Sequence, residues 1–163
     1  IQYLNKIISD LQDYAREVNP EKTLVNLKTF FESLLEKIDP PSSIVSRIEY
    51  RCDDAVLVDP VLLTRIMENL ITNAIQAMDK GGTLTIRTQI SGGMLSIIIG
   101  DTGGGVPPAA QSHIFDPLFT TKPKGTGLGL SVTKRLIEAQ GGTISLLETS
   151  ATGTTFQITL PVS

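Results

Sequence analysis

The sequence predicts an α/β fold, a two-layer sandwich in which one mixed, mostly antiparallel sheet carries helices on one face. Three observations predict it. After Asp59-Pro60, apolar residues recur at helical spacing, at Leu62, Leu63, Ile66, Met67, Leu70, Ile71, Ala74 and Ile75. Two β-rich runs, 83–90 and 94–100, meet at Ser91-Gly92-Gly93 as the arms of a hairpin do. Residues 102–125 hold four prolines, Pro107, Pro108, Pro117 and Pro123, and follow no period, which marks a long loop fit to serve as a lid.

The remaining elements follow in order. Residues 1–18 place Leu4, Ile7, Ile8, Leu11, Ala15 and Val18 on a narrow helical seam suited to packing on other helices, and Asn19-Pro20 ends it. Residues 25–27 read as a short strand. Residues 28–38 read as a helix with Phe30, Phe31, Leu34, Leu35 and Ile38 inward, stopped by Asp39-Pro40-Pro41. Strands are expected at 44–50 and 56–58. Asp59 then caps a helix whose first position is Pro60 and which runs to about Met78, before Gly81-Gly82. Leu95, Ile97, Ile98 and Ile99 are nearly continuous, which predicts a central strand buried on both faces. A helix over 128–139, ended by Gly141-Gly142, and strands at 143–147 and 154–161 complete the chain, with no repeat and no low-complexity segment.

Composition narrows the function. With 163 residues and 40% hydrophobic side chains the chain can bury one core. A net charge of −3 and a pI near 5.1 give no electrostatic basis for a nucleic-acid partner. No apolar run approaches the roughly 18 residues of a membrane span, and no signal peptide is evident. The single cysteine, Cys52, excludes an internal disulfide framework and reads as a small packed side chain in a reducing compartment. Because the chain begins at Ile1, it is expected to be a piece of a longer protein.

All 14 glycines lie between Gly81 and Gly153, so the second half is built around something that the backbone must approach. Two clusters stand out, Asp101-Thr102-Gly103-Gly104-Gly105 and Gly125-Thr126-Gly127-Leu128-Gly129. The second precedes a helix, whose free N–H groups and dipole make an anion site, and Lys122 and Lys124 just before it can add charge for phosphates. Ordinary solvation is the alternative for each lysine. No lysine follows Gly127 or Gly129 as a P-loop requires, and no strand directly precedes the cluster as a dinucleotide fingerprint requires. Asp101 ends the buried strand in phase with Leu95, Ile97 and Ile99. It can cap the following loop or accept a hydrogen bond from a ligand amine such as that of adenine. Gly103 and Gly105 then let the chain turn and leave room for a flat ring.

On the long helix, Asn69 and Asn73 are spaced i, i+4 with Arg65, Thr72 and Gln76 beside them, a polar stripe on an apolar helix. It is either a solvated face or a site for Mg²⁺ and phosphate, since a neutral carboxamide oxygen completes a Mg²⁺ shell without repelling phosphate.

In order, these motifs resemble the catalytic ATP-binding domain of bacterial sensor histidine kinases. Asn69-Leu70-Ile71-Thr72-Asn73-Ala74 resembles the N box, Asp101 to Gly105 the first glycine box, and Ile114 to Lys122 the F box. Gly125 to Leu130 resembles the second glycine box and Gly153-Thr154-Thr155-Phe156 the last. The resemblance covers 21–163 as the catalytic domain, while 1–18 resembles the tail of a helical dimerisation and phosphoacceptor domain. It implies an α/β sandwich with a long, mobile ATP lid, ATP and Mg²⁺ as cofactors, and cytoplasmic location, including the cytoplasmic part of a membrane-bound sensor. It implies that Asn73 holds Mg²⁺, that Asp101 reads the adenine amine and that Gly103, Gly105 and Val106 border the base. Gly125, Gly127, Leu128, Gly129 and Thr154 would contact the nucleotide, while Lys122 and Asn69 would act in phosphoryl transfer. The implied partners are the chain's own helical domain, a response-regulator receiver domain and, at full length, a second copy.

Three departures sharpen this. Many kinases of the family carry Lys and an aromatic where this chain has Gln76 and Ala77, which shifts phosphate binding toward Lys122. The phosphoacceptor histidine with its acidic neighbour is missing; the only histidine, His113, reads as a solvated loop residue beside the F box. Related hydrolytic ATPases carry a Glu four residues before the Mg²⁺-binding Asn, where this chain has Asn69, and an amide is no general base. Glu68 points about 100° away around the helix. A hydrolytic ATPase and a non-catalytic nucleotide-dependent docking module are the rival readings.

Overall fold

The computed structural model describes residues 1–51, 55–123 and 125–162; Cys52 and Lys124 lie outside them. In chain order the elements are α1 (Gln2–Ala15), β1 (Thr23–Asn26), α2 (Leu27–Ile38), β2 (Ile44–Tyr50), β3 (Ala55–Val58), α3 (Pro60–Ala77), β4 (Gly82–Ser91), β5 (Met94–Asp101), α4 (Gly129–Glu138), β6 (Thr143–Ser150) and β7 (Gly153–Pro161).

The main sheet has the order β2-β4-β5-β7-β6, with β2 parallel to β4 and every other pair antiparallel. Two expectations need correction. The chain forms two sheets, because β1 pairs with β3 alone, from Thr23 opposite Val58 to Asn26 opposite Ala55. And β5, though central, is buried on one face: Leu95, Ile97 and Ile99 are buried, whereas Ser96 and Ile98 are only partly covered. A strand's side chains alternate, and helices cover one side of this sheet, so Ile98 has no second layer to enter.

One apolar cluster joins the sheet to the helices. It includes Leu84, Ile86, Leu95, Ile97, Ile158 and Leu160 from strands, with Leu63, Met67, Leu70 and Ile71 from α3 and Val132, Leu136 and Ile137 from α4. Each fully buried Leu or Ile adds about 1.5–3 kcal/mol, so this cluster is the main source of folding free energy. Local chemistry sets the ends of the elements. Asp59 Oδ1 accepts the Val61 and Leu62 N–H groups at 2.9 and 3.0 Å, and its Oδ2 accepts the Glu21 N–H at 2.7 Å, so one carboxylate caps α3 and holds the approach to β1. The β4–β5 turn places Gly92 and Gly93 at φ 58° and 74°, a two-residue turn that L side chains resist.

The first helix docks through its polar side. Arg135 of α4 donates to the Tyr14 and Arg16 carbonyls and lies 5.4 Å from the Tyr14 ring. Arg65 of α3 reaches Asp10 at 3.0 Å and Asp13 at 2.5 Å. The apolar seam is left outward, with Leu4, Ile8 and Leu11 exposed. Among the described residues between β5 and α4 there is no helix or strand, and 108–115 form consecutive turns. Ala110 and Ile114 anchor it in the interior, and Phe115 stacks edge-on against Phe156 with ring centres 6.2 Å apart.

Candidate nucleotide site

A cavity of about 550 Å³ opens between α3, the ends of β5 and β7, the loop after β5 and the start of α4. Asn73, Asp101, Gly105, Val106, Lys122, Gly125, Gly127, Gly129 and Thr154 all line it. These residues come from four separate stretches of sequence. An adjoining cavity of about 590 Å³ shares Lys6, Asn73 and Gly129 with it and adds Asn69. Gly103 and Leu128 line neither.

One end is made by strands. Asp101 pairs with Thr154 across β5 and β7, and its Oδ1 accepts the Gly103 N–H at 2.8 Å. Burial pushes the Asp101 carboxyl above its usual range, opposed by the Gly103 and Thr154 N–H groups and by the Lys122 charge. A half-buried carboxylate with room for another donor suits a ligand amine. The two glycines after it answer to backbone packing. A Cβ on Gly103 would strike the Ala77 carbonyl, and one on Gly105, which sits at φ 76°, would strike the Ser150 carbonyl. Val106 is fixed by its N–H, which donates to Thr149 Oγ1 at 2.8 Å; that hydroxyl lies 3.0 Å from Thr154 Oγ1.

The other end is polar and made by helices and loop. Lys122 reaches across from the loop, and its Nζ donates to Gln76 Oε1 at 2.7 Å and Asn73 Oδ1 at 3.2 Å. Burial lowers the Lys122 pKa, and nearby Lys6 adds to the effect while Asp101 opposes it. The second glycine cluster runs directly into α4, which starts at Gly129 with no side-chain cap, so its first turn can present N–H groups to an anion. Gly127 sits at φ 72°, where a Cβ would strike the Leu118 backbone; Leu118 is itself at φ 66° and exposed.

Asn69 has a more constrained position. Its Nδ2 donates to the Gly129 carbonyl at 3.3 Å and to Thr133 Oγ1 at 3.2 Å, and the Thr133 hydroxyl in turn donates to Gly129 O at 2.8 Å. The amide therefore braces α3 against the first turn of α4. The stripe that reads as solvated or ligand-binding is in part a helix–helix contact, since Arg65 faces α1 and Asn69 faces α4. Sequence reasoning missed Thr133, which is fully buried, and Thr126, whose hydroxyl donates to the nearly fully buried Asp10 at 3.0 Å. No local signal announces their long-range bonds, because Asn69 lies 64 residues from Thr133 and Asp10 lies 116 residues from Thr126. His113 is exposed, with Nδ1 2.9 Å from Asp116 Oδ2.

A Mg²⁺ ion fits the donors present. Asn73 Oδ1 faces the cavity and already accepts an ammonium, so it is oriented for a cation. A neutral carboxamide oxygen is a donor that Mg²⁺ accepts, since this ion takes one or two protein oxygens and fills its octahedron with water and phosphate.

Residues 58–163 match the family model described as histidine kinase-, DNA gyrase B-, and HSP90-like ATPase. Sensor histidine kinase ZraS of Escherichia coli K12 is 32% identical over 98% of this chain and 35% of its own length. The chain thus spans about a third of the curated relatives it matches. The catalytic domain of histidine kinase ThkA superposes with a TM-score of 0.77 at 28% identity, over 87% of this chain and 96% of that domain. ThkA in complex with response regulator protein TrrA gives a TM-score of 0.82 at 25% identity over 99% of this chain and 48% of that one. The order of the motifs, the mixed sheet and the match over more than half the chain agree: the chain belongs to the histidine kinase-, DNA gyrase B-, and HSP90-like ATPase family and is an ATP-binding domain of the kind found in sensor histidine kinases.

Proposed function

We propose that this chain is the kinase part of a two-component sensor histidine kinase, giving the γ-phosphoryl group of Mg-ATP to a histidine on a helical domain, for relay to an Asp of a response regulator. The observation that carries the reading is the meeting of Asp101, Asn73 and Lys122 around one cavity with the uncapped N-terminus of α4. Asp101 would accept the adenine amine, with Gly105, Val106 and Thr154 beside the base. Gly127 and Gly129 would bring backbone N–H groups to the phosphates, with Gly125 closing the turn before them on the Lys122 carbonyl and Leu128 anchoring that turn in the core. Asn73 would hold the ion, which supplies charge neutralisation at the phosphate oxygens. Lys122 would add charge at the terminal phosphate as the acceptor nitrogen bonds to phosphorus and the bond to ADP breaks. Asn69 would hold the start of α4 in place and cannot serve as a base for water, which favours transfer over hydrolysis.

The chain would work with residues 1–18 as the tail of the helical domain, whose exposed Leu4, Ile8 and Leu11 suit a second copy's helices in a full-length homodimer. A response-regulator receiver domain would be the downstream partner and the cytoplasm the site of action; among the described residues no helix is long and apolar enough to cross a membrane. The test supplies γ-labelled ATP to this chain together with a separate helical domain carrying the acceptor histidine. Acid-labile label on the added domain, and none on this chain, is expected. Stable label on His113, or steady phosphate release by the chain alone that Asn69→Ala abolishes, would overturn the reading in favour of self-modification or hydrolysis. ATP binding without transfer would favour a docking module.

A further inference from the structure

Gln76 stands three residues after Asn73 on the same face of α3, and both carboxamide oxygens point at the Lys122 ammonium. The bond to Gln76 is the shorter, at 2.7 Å against 3.2 Å. Gln76 is itself exposed and belongs to neither the core nor the brace between α3 and α4. Its chemistry suits its partner. A neutral carbonyl offsets the cost of desolvating an ammonium without bringing anionic charge near phosphates. A lysine at this position would repel Lys122, and a glutamate would neutralise it.

The two acceptors differ in what else they can do. Asn73 Oδ1 cannot hold an ammonium and a divalent cation side by side without strong like-charge repulsion. With an ion held at Asn73, Lys122 would give up that acceptor and keep Gln76. We propose that Gln76 is the positioning residue for Lys122, seating this loop ammonium at the phosphate end of the cavity so that the terminal-phosphate cation comes from the lid. This rests on reading the cavity as an ATP site.

The test compares affinities for a non-hydrolysable ATP analogue with Mg²⁺, for ADP and for adenosine, by calorimetry on the full chain. Gln76→Ala should lower analogue affinity about tenfold, the worth of one hydrogen bond to a charged group, and leave adenosine binding unchanged. Lys122→Met should do the same, and the double variant Gln76→Ala/Lys122→Met should be no weaker than Lys122→Met alone, because Gln76 acts only through the lysine. Gln76→Lys/Lys122→Met, which moves the cation from lid to helix, should recover most of the lost affinity. Equal losses for analogue and adenosine, or fully additive losses in the double variant, would overturn the assignment. Failure of the unmodified chain to bind any adenine ligand would instead overturn the ATP-site reading and the assignment with it.

Discussion

The two ends of the cavity are built on different principles. At the Asp101 end, paired strands supply the wall: Asp101 is tied to the Gly103 N–H and Thr149 to Thr154 by local bonds, and Val106 is tied to Thr149 across 43 residues. At the Lys122 end, three elements distant in sequence meet through long side chains: Lys122 to Asn73 and Gln76, Asn69 to Thr133 and Gly129. A base needs a fixed outline to be recognised, whereas a phosphoryl group must be gripped and then released. A wall of paired strands serves the first need, and charges on a turn-rich loop serve the second.

The comparison would break most visibly at Asp101. Asp101→Asn should weaken every adenine ligand by about a hundredfold, the worth of roughly 2–3 kcal/mol in a charged hydrogen bond, whether or not phosphates are attached. Asn keeps an oxygen for the Gly103 N–H and removes a desolvated charge, so the melting temperature should not fall. The sign follows from the raised pKa. Ionised Asp101 costs the folded state stability above the usual carboxylate range, and that cost vanishes as pH drops and the group protonates. The stability difference between Asn variant and native chain should therefore shrink as pH falls from 7 toward about 3, the region where carboxylates titrate. Melting curves across pH check it. A variant that melts well below the native chain at neutral pH would show that Asp101 holds the wall together and is not spent on a ligand.

Asn73→Ala should have the next largest effect, at the other end. Without Mg²⁺ its ADP affinity should match the native chain, and with Mg²⁺ it should miss the gain that the ion confers, about tenfold for one lost oxygen ligand among several. Calorimetry with and without Mg²⁺ measures this. An equal loss in both conditions would mean that Asn73 serves the lid lysine alone.

The same contrast explains what could be read from the chain. The strand end was legible because its signals are local: Asp101 follows an alternating run, and a Ser-Gly-Gly turn marks the hairpin beside it. The Asp59 cap and the apolar face of α3 were legible for the same reason. The separate β1–β3 sheet was not, since nothing in a four-residue strand states which edge it will join. Burial of Ile98 was overestimated because a continuous apolar run does not reveal whether a second layer exists. At the helix end Asn69 and Lys122 were visible as residue types, yet their partners were not. Thr133 has no pattern of its own, and Asp10 reads as one more polar residue of an amphipathic helix until Arg65 and Thr126 close on it. Tertiary partners of side chains are set by packing, which no local period encodes.

The smallest expected effects sharpen the contrast best, because the same atom can be removed from each end. Thr149→Val takes away the acceptor of the Val106 N–H in the wall, and Thr133→Val takes away the hydroxyl that holds Asn69 to α4. Both changes keep the side-chain shape, and each removes a hydroxyl that makes two hydrogen bonds, so each should cost about 2 kcal/mol of stability. Their effects on binding should separate. Loosening the wall displaces Val106 beside the base, so Thr149→Val should weaken adenosine, ADP and an ATP analogue alike, by about fivefold if about 1 kcal/mol, half of that cost, is felt at the site. Loosening the brace lets the first turn of α4 shift, so Thr133→Val should weaken the analogue and ADP by a similar factor and leave adenosine alone. If Thr133→Val weakened adenosine equally, the two ends would be one mechanical unit, and the division between a fixed wall and a movable grip would fail.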